Sequence, residues 1–260
     1  MAAVRFLTAG CLLYLWVRVR GAPAPTRAHW INASWIGALL VLAGNGLVVW
    51  AEQWVPSGLT ALLVGMLPIW MVLADWTWGA GRRPGVLLIA GLLWGLFGVA
   101  LLASSSGFGS GTRMGLIGGF AVMLAGICWA IGSIWSKRVA LPAAKSVVSA
   151  MQMMWGGFWL LVIAGLTGEL SRIGTVHPSA ASMAALAYLI VLGSLVAFSA
   201  YVWLLGATTP ALLTTYAYVN PVVALLLGWW LADEALTRRT LVSAFVILSA
   251  VVLITQEKRA

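Results

Sequence analysis

Nine long apolar runs, separated by loops too short to hold a domain, constrain this chain more than any single residue does. They cover Ala2 to Val17, Ser34 to Ala51, Ser57 to Trp76, Gly85 to Ala103, Met114 to Ser136, Ser146 to Thr167, Ala181 to Leu204, Leu212 to Leu231 and Thr240 to Thr255. About 20 apolar residues cross a bilayer as a helix. With 62% apolar and 8% charged residues, against about 25% charged in soluble domains, a water-soluble fold is excluded. Backbone groups in hydrocarbon must be satisfied within the protein, and these runs lack the alternation of barrel strands. The expected class is therefore an all-α polytopic membrane protein with nine transmembrane helices.

The same composition removes other classes. A net charge of +9 on a soluble chain would suggest nucleic acid. Here the cations sit in loops, where membrane topology accounts for them, so the expected partners are the bilayer and a small-molecule substrate and no nucleic acid. Cys11 and Cys128 both lie inside apolar runs, which leaves no disulfide framework and no CxxC site. His29 and His177 fall in loops on opposite sides, and no HExxH or GxSxG occurs. No metal, cofactor or catalytic residue is expected, and the chain is not read as an enzyme.

The first run imitates a signal peptide, with Arg5, an apolar stretch from Phe6 to Val17 and small residues at Ala22-Pro23-Ala24. Arg18 and Arg20 directly after it act as an anchor, and Pro25 disfavours cleavage, so it reads as a retained helix. Cations count ten on one side: Arg18, Arg20, Arg27, Arg82, Arg83, Lys137, Arg138, Lys145, Lys258 and Arg259. The other side carries five, Arg5, Arg113, Arg172, Arg238 and Arg239. The excess marks the cytoplasm, which places the amino terminus outside and the carboxyl terminus inside.

A weak internal repeat runs through the chain. Pro56-Ser57-Gly58-Leu59-Thr60, with Pro68 following, resembles Pro210-Ala211-Leu212-Leu213-Thr214, with Pro221 following, and Arg82-Arg83 matches Arg238-Arg239. The first four runs pair with the last four at a spacing that crosses an odd number of loops, so equivalent helices run in opposite directions. Such inverted repeats build many secondary transporters. The fifth run has no partner, and its equivalent would lie upstream of Met1.

Three segments carry a resemblance to a known family: Gly44-Asn45-Gly46 through Ala51-Glu52-Gln53 to Val55-Pro56-Ser57-Gly58; Cys128-Trp129-Ala130-Ile131-Gly132-Ser133; and Thr215-Tyr216-Ala217-Tyr218-Val219-Asn220-Pro221, with Gly228 and Asp233-Glu234 beyond. The chain resembles the EamA-type drug/metabolite transporter superfamily, bacterial ten-helix exporters of two inverted five-helix repeats. The resemblance covers essentially the whole chain and implies a first repeat at 1–103 lacking its opening helix, a second repeat at 114–255 and a cytoplasmic tail at 256–260. Arg5-Phe6 resembles the opening of the second family helix. The expected function is secondary transport, export of a small organic metabolite such as an amino acid or related amphipathic solute across the inner membrane by alternating access. The alternative is a truncated, non-transporting membrane subunit.

Polar side chains near the midplane are costly and therefore informative. Asn45, Gln152, Ser133, Tyr201, Tyr216 and Asn220 are the substrate-binding candidates, joined by the aromatic Trp129 and Trp155. Amides donate and accept together, which suits a zwitterionic or amide-bearing solute; the competing role is interhelical hydrogen bonding. Tyr216 and Asn220, four apart, share a helical face from which Tyr218 points away. Pro68 and Pro221 interrupt paired spans and are the candidate hinges. Tryptophans at run ends, among them Trp30, Trp35 and Trp54, read as interfacial anchors. The repeated Gly91-xxx-Gly95 spacing permits close helix approach, within the chain or across a homodimer. Glu52 is the acid nearest to membrane depth, and an interfacial place suits it better than ion coupling.

Overall fold

The computed structural model describes residues 1–55, 57–78, 83–103, 113–170, 178–232 and 237–256. Pro56, Arg82, Arg172, His177, Asp233, Glu234 and the tail beyond Gln256 lie outside them. Among the described residues every element is helical, and nine helical tracts answer the nine apolar runs. Seven tracts are long and apolar enough to cross a membrane. The chain is an all-α, multi-pass membrane protein.

In chain order the elements are α1 (Ala2–Val19), α2 (Arg27–Gly37), a π-helical segment (Ala38–Gly46), α3 (Leu47–Ala51), α4 (Ser57–Val64), α5 (Leu67–Trp78), α6 (Val86–Ala103) and α7 (Arg113–Ser136). There follow α8 (Lys145–Leu166), α9 (Ala180–Tyr188), a second π segment (Leu189–Val196), α10 (Ala197–Ala207), α11 (Pro210–Leu213), α12 (Tyr216–Ala232) and α13 (Arg238–Gln256).

The second tract starts at Arg27, seven residues before the apolar run at Ser34. Thr26 is the reason. Its hydroxyl accepts from the His29 N–H at 3.3 Å while His29 Nδ1 accepts from the Thr26 N–H at 3.3 Å, a reciprocal cap in which histidine takes the place usual for Glu or Gln. His29 thus belongs to the first helical turn and not to a loop.

Four of the nine tracts are irregular, and they fall in repeat-related pairs. The second and seventh carry the two π segments, Ala38–Gly46 and Leu189–Val196. The third and eighth are broken by turns, at 65–66 between α4 and α5 and at 214–215 between α11 and α12. Pro221 lies inside α12, where its ring withdraws the donor that would have met the Ala217 carbonyl. Pro68 differs from the expected interior interruption. It is the second residue of α5, a position whose N–H has no intrahelical acceptor, so the break precedes the proline.

The chain forms two compact units, each drawing on both halves of the sequence: Met1–Gly46 with Trp135–Ala207, and Leu47–Ile134 with Thr208–Ala260. In the first unit α1 packs along α8, α2 packs on α8, and α1 also meets the second π segment. Glycines set the α1–α8 distance. A Cβ on Gly10 would stand 2.7 Å from the Met154 nitrogen, and one on Gly157 would stand 2.8 Å from the Leu7 nitrogen. In the second unit α6 packs along α13, and Gly91, Gly95 and Gly98 face Ile254, Tyr218 and Ile247. The Gly91-xxx-Gly95 spacing therefore serves packing inside the chain. The sixth tract lies against the first and the ninth against the fourth, so in each unit one pair of repeat partners packs together.

Candidate functional site

The first unit holds Asn45, Gln152, Trp155 and Tyr201. Asn45 sits near the end of the first π segment, where its Nδ2 donates to the Leu40 carbonyl, five residues back, at 3.4 Å. Gln152 and Trp155 lie three apart on α8 and share a face. Gln152 is 1% exposed, and its Oε1 has no donor among the described residues. A buried acceptor left in this state costs about 1–3 kcal/mol, which makes Gln152 the most informative member of the set. Tyr201 is buried in α10.

Trp155 belongs to an aromatic wall: its ring stacks on Trp159 with centroids 6.2 Å apart and meets Phe158 edge-on at 5.4 Å. Beside it lies a cavity of about 580 Å³, to which α2 contributes Arg27, Trp30, Ser34 and Trp35 and α8 contributes Trp155 and Trp159. Trp159 Nε1 donates to the Ser34 hydroxyl at 3.1 Å.

A second polar cluster was not singled out by sequence reasoning. Arg5, counted from the sequence among the outside cations, lies inside α1, where its Nε donates to Ser194 Oγ at 2.7 Å and its Nη2 to the Gly193 carbonyl at 3.0 Å. The guanidinium also sits over the Phe6 ring, 4.7 Å from the centroid, and Phe6 packs edge-on against Phe198. A Cβ on Gly193 would come within 2.9 Å of Arg5 Nη2, so a larger residue there would displace the guanidinium. The signal in the sequence was Arg5 itself, a cation inside an apolar run.

The second unit holds Trp129, Ser133, Tyr216, Asn220 and the two prolines. Ser133 Oγ donates to the Trp129 carbonyl at 2.7 Å, so its hydroxyl is engaged by its own helix. Tyr216 is half-buried and Asn220 exposed, whereas Tyr218 between them is fully buried. Tyr218 donates its hydroxyl proton to the Leu92 carbonyl at 3.0 Å, beneath Gly95. Thr214 and Thr215 turn their hydroxyls onto the carbonyls of Pro210, Ala211 and Leu212. The carbonyls of Pro210 and Leu212 also accept the backbone N–H groups of Thr214 and Thr215, so side chains and tightened turns together satisfy the break between α11 and α12. Glu52 is exposed in the turn after α3. Among the described residues no group of three or more His, Cys, Asp and Glu could hold a metal ion.

A bundle of apolar helices with paired broken and π-helical spans, and amides rather than acids at depth, has the construction of a membrane transporter, in which irregular backbone lines the solute path. Comparison with known proteins agrees. The profile of the EamA-like transporter family matches residues 1–104 and 116–256, and the chain belongs to that family. An Escherichia coli K12 protein, named the uncharacterized inner membrane transporter YedA, is 39% identical over 99% of this chain and 81% of its own length. The Bacillus subtilis uncharacterized transporter YvbV is 25% identical over 100% and 83%, and protein PecM of Dickeya dadantii is 26% identical over 97% and 81%. A solved crystal structure superposes with a TM-score of 0.77 at 20% identity, covering 99% of this chain and 87% of the other, which shows a shared fold. The chain is a membrane transporter.

Proposed function

We propose that this chain is a secondary transporter of the inner membrane that exports a small organic metabolite, an amino acid or related amphipathic solute, by alternating access. The repeats at 1–103 and 114–255 supply the two inverted halves, with the 256–260 tail and the carboxyl terminus in the cytoplasm and the amino terminus outside. The observation that carries the reading is the Gln152 acceptor, buried in a membrane-spanning helix without a donor, a state a solute amide or ammonium group would relieve. The further substrate candidates are Asn45 and Tyr201 within the first unit and, within the second, Trp129, Ser133, Tyr216 and Asn220. Trp155, whose ring also lines the Arg27 cavity, stands at the edge of the set. Pro68 and Pro221, beside the breaks in the third and eighth tracts, are the hinges.

Uptake into inside-out vesicles, screened against amino acids and aromatic metabolites, tests this. Asn220→Leu keeps volume but removes donor and acceptor, and should weaken apparent affinity by about 1–3 kcal/mol, roughly 5- to 150-fold, with expression checked. Normal transport by this variant would remove Asn220 from the site. Failure of the wild type to move any of these solutes would favour the non-transporting reading.

A further inference from the structure

The cavity between α2 and α8 has a shape and a polarity that a soluble metabolite does not match. Arg27 is the first residue of α2 and Trp35 lies eight positions on, about 12 Å along the helix axis. That distance takes the groove from Arg27, ahead of the apolar run, to the start of that run at Ser34 and Trp35, the headgroup end of a hydrocarbon core about 30 Å thick. Among the described residues that line it, Arg27 carries the sole charge and no acid is present. The Ser34 hydroxyl is already taken by Trp159, so below Arg27 the wall is indole and aliphatic. A zwitterion would bury an ammonium group here without a counter-charge. The lip is formed by Ile31 and Trp35, which are 49% and 70% exposed on a membrane-spanning helix and so face the bilayer.

We propose that this cavity binds one anionic phospholipid, with its phosphate on Arg27 and an acyl chain laid along Trp30, Trp155 and Trp159. A guanidinium meets phosphate oxygens with paired N–H donors, and basic pockets between helices at the interface take anionic headgroups. An occupant already in the bilayer enters sideways past Ile31 and Trp35. Because α2 continues directly into the first π segment, a lipid seated on α2 bears on the segment that carries Asn45. The site shares only Trp155 with the proposed substrate set, and its test uses no transport readout.

The full chain, purified and delipidated in neutral detergent, is titrated with palmitoyl-oleoyl phosphatidylglycerol or the matching phosphatidylcholine. Retained lipid is counted by native mass spectrometry and thermal stability is followed in parallel. One phosphatidylglycerol should be retained in preference to phosphatidylcholine, with a rise in melting temperature. Arg27→Gln should weaken it about fivefold, which is one phosphate contact of about 1 kcal/mol at 1.4 kcal/mol per decade. Arg27→Lys should recover most of that, and Arg138→Gln, an exposed cation outside the cavity, should change nothing. Equal retention of the two lipids, or equal effects of Arg27→Gln and Arg138→Gln, overturns the proposal. So does Arg27-dependent stabilisation by indole-3-acetate without any by phosphatidylglycerol, which would assign the cavity to a soluble aromatic acid.

Discussion

Tyr218 and Asn220 stand two residues apart on α12 and meet opposite surroundings, the first fully buried against α6 and the second exposed. Helical periodicity foretold that Tyr218 points away from the Tyr216–Asn220 face, but not that its hydroxyl ends on the Leu92 carbonyl. That contact depends on Gly95, whose lack of a side chain makes room for the ring. The candidate residues were legible as types, because an amide in an apolar run is conspicuous; their engagement was not, because hydrogen-bond partners come from other helices. Ser133 shows the limit, since its hydroxyl serves the Trp129 carbonyl. Gln152 and Tyr218 should respond in opposite ways. Gln152→Leu deletes an acceptor that lacks a donor, so thermal stability in detergent should hold or rise while uptake weakens. Tyr218→Phe deletes a satisfied buried hydrogen bond, so stability should fall by about 1 kcal/mol with the apparent affinity for solute unchanged. A loss of stability in Gln152→Leu would show that its amide is a structural tie.

At the scale of elements, hydropathy marked all nine tracts because lipid demands long apolar helices. What it could not mark is how the backbone winds inside them. The π segments at Ala38–Gly46 and Leu189–Val196 lie in apolar sequence, as does the turn at 65–66, and the turn at 214–215 is marked only by Thr214-Thr215 inside an apolar run. The early start of α2 escaped for the converse reason: Arg27, His29 and Asn32 depress hydropathy, while the signal was the Thr26–His29 cap. Arg5 holds the second π segment by two hydrogen bonds, one to a side chain and one to a carbonyl. π-Helical turns recur at functional sites, and local stability there sets how readily a segment opens. Arg5→Gln should therefore speed amide hydrogen exchange across Leu189–Val196 and leave Ala38–Gly46 unchanged. Arg5→Lys, lacking the planar fork, should fall between. Equal protection in wild type and Arg5→Gln would mean that the cluster does not restrain the segment.

For the molecule as a whole, inversion of the repeats and orientation in the membrane are one question, because an odd number of crossings between equivalent helices is what turns the second half over. Nine crossings would put the two termini on opposite sides, and the proposed assignment of sides rests on the loop cations, ten against four once Arg5 is counted inside α1. Ala143 lies before α8, next to Lys145, and Ser179 caps α9 across the span that α8 makes; both are exposed. Helix α8, 22 residues long, covers about 33 Å, enough to separate those two positions by the full hydrocarbon thickness. In a chain with Cys11 and Cys128 replaced, Ser179→Cys should react with an impermeant thiol reagent added to intact cells, and Ala143→Cys should react only after the membrane is opened. The reverse pattern would invert the molecule while keeping its spans. Labelling of both positions from outside would mean that α8 does not cross, which would remove a helix from the count and the inverted relation with it.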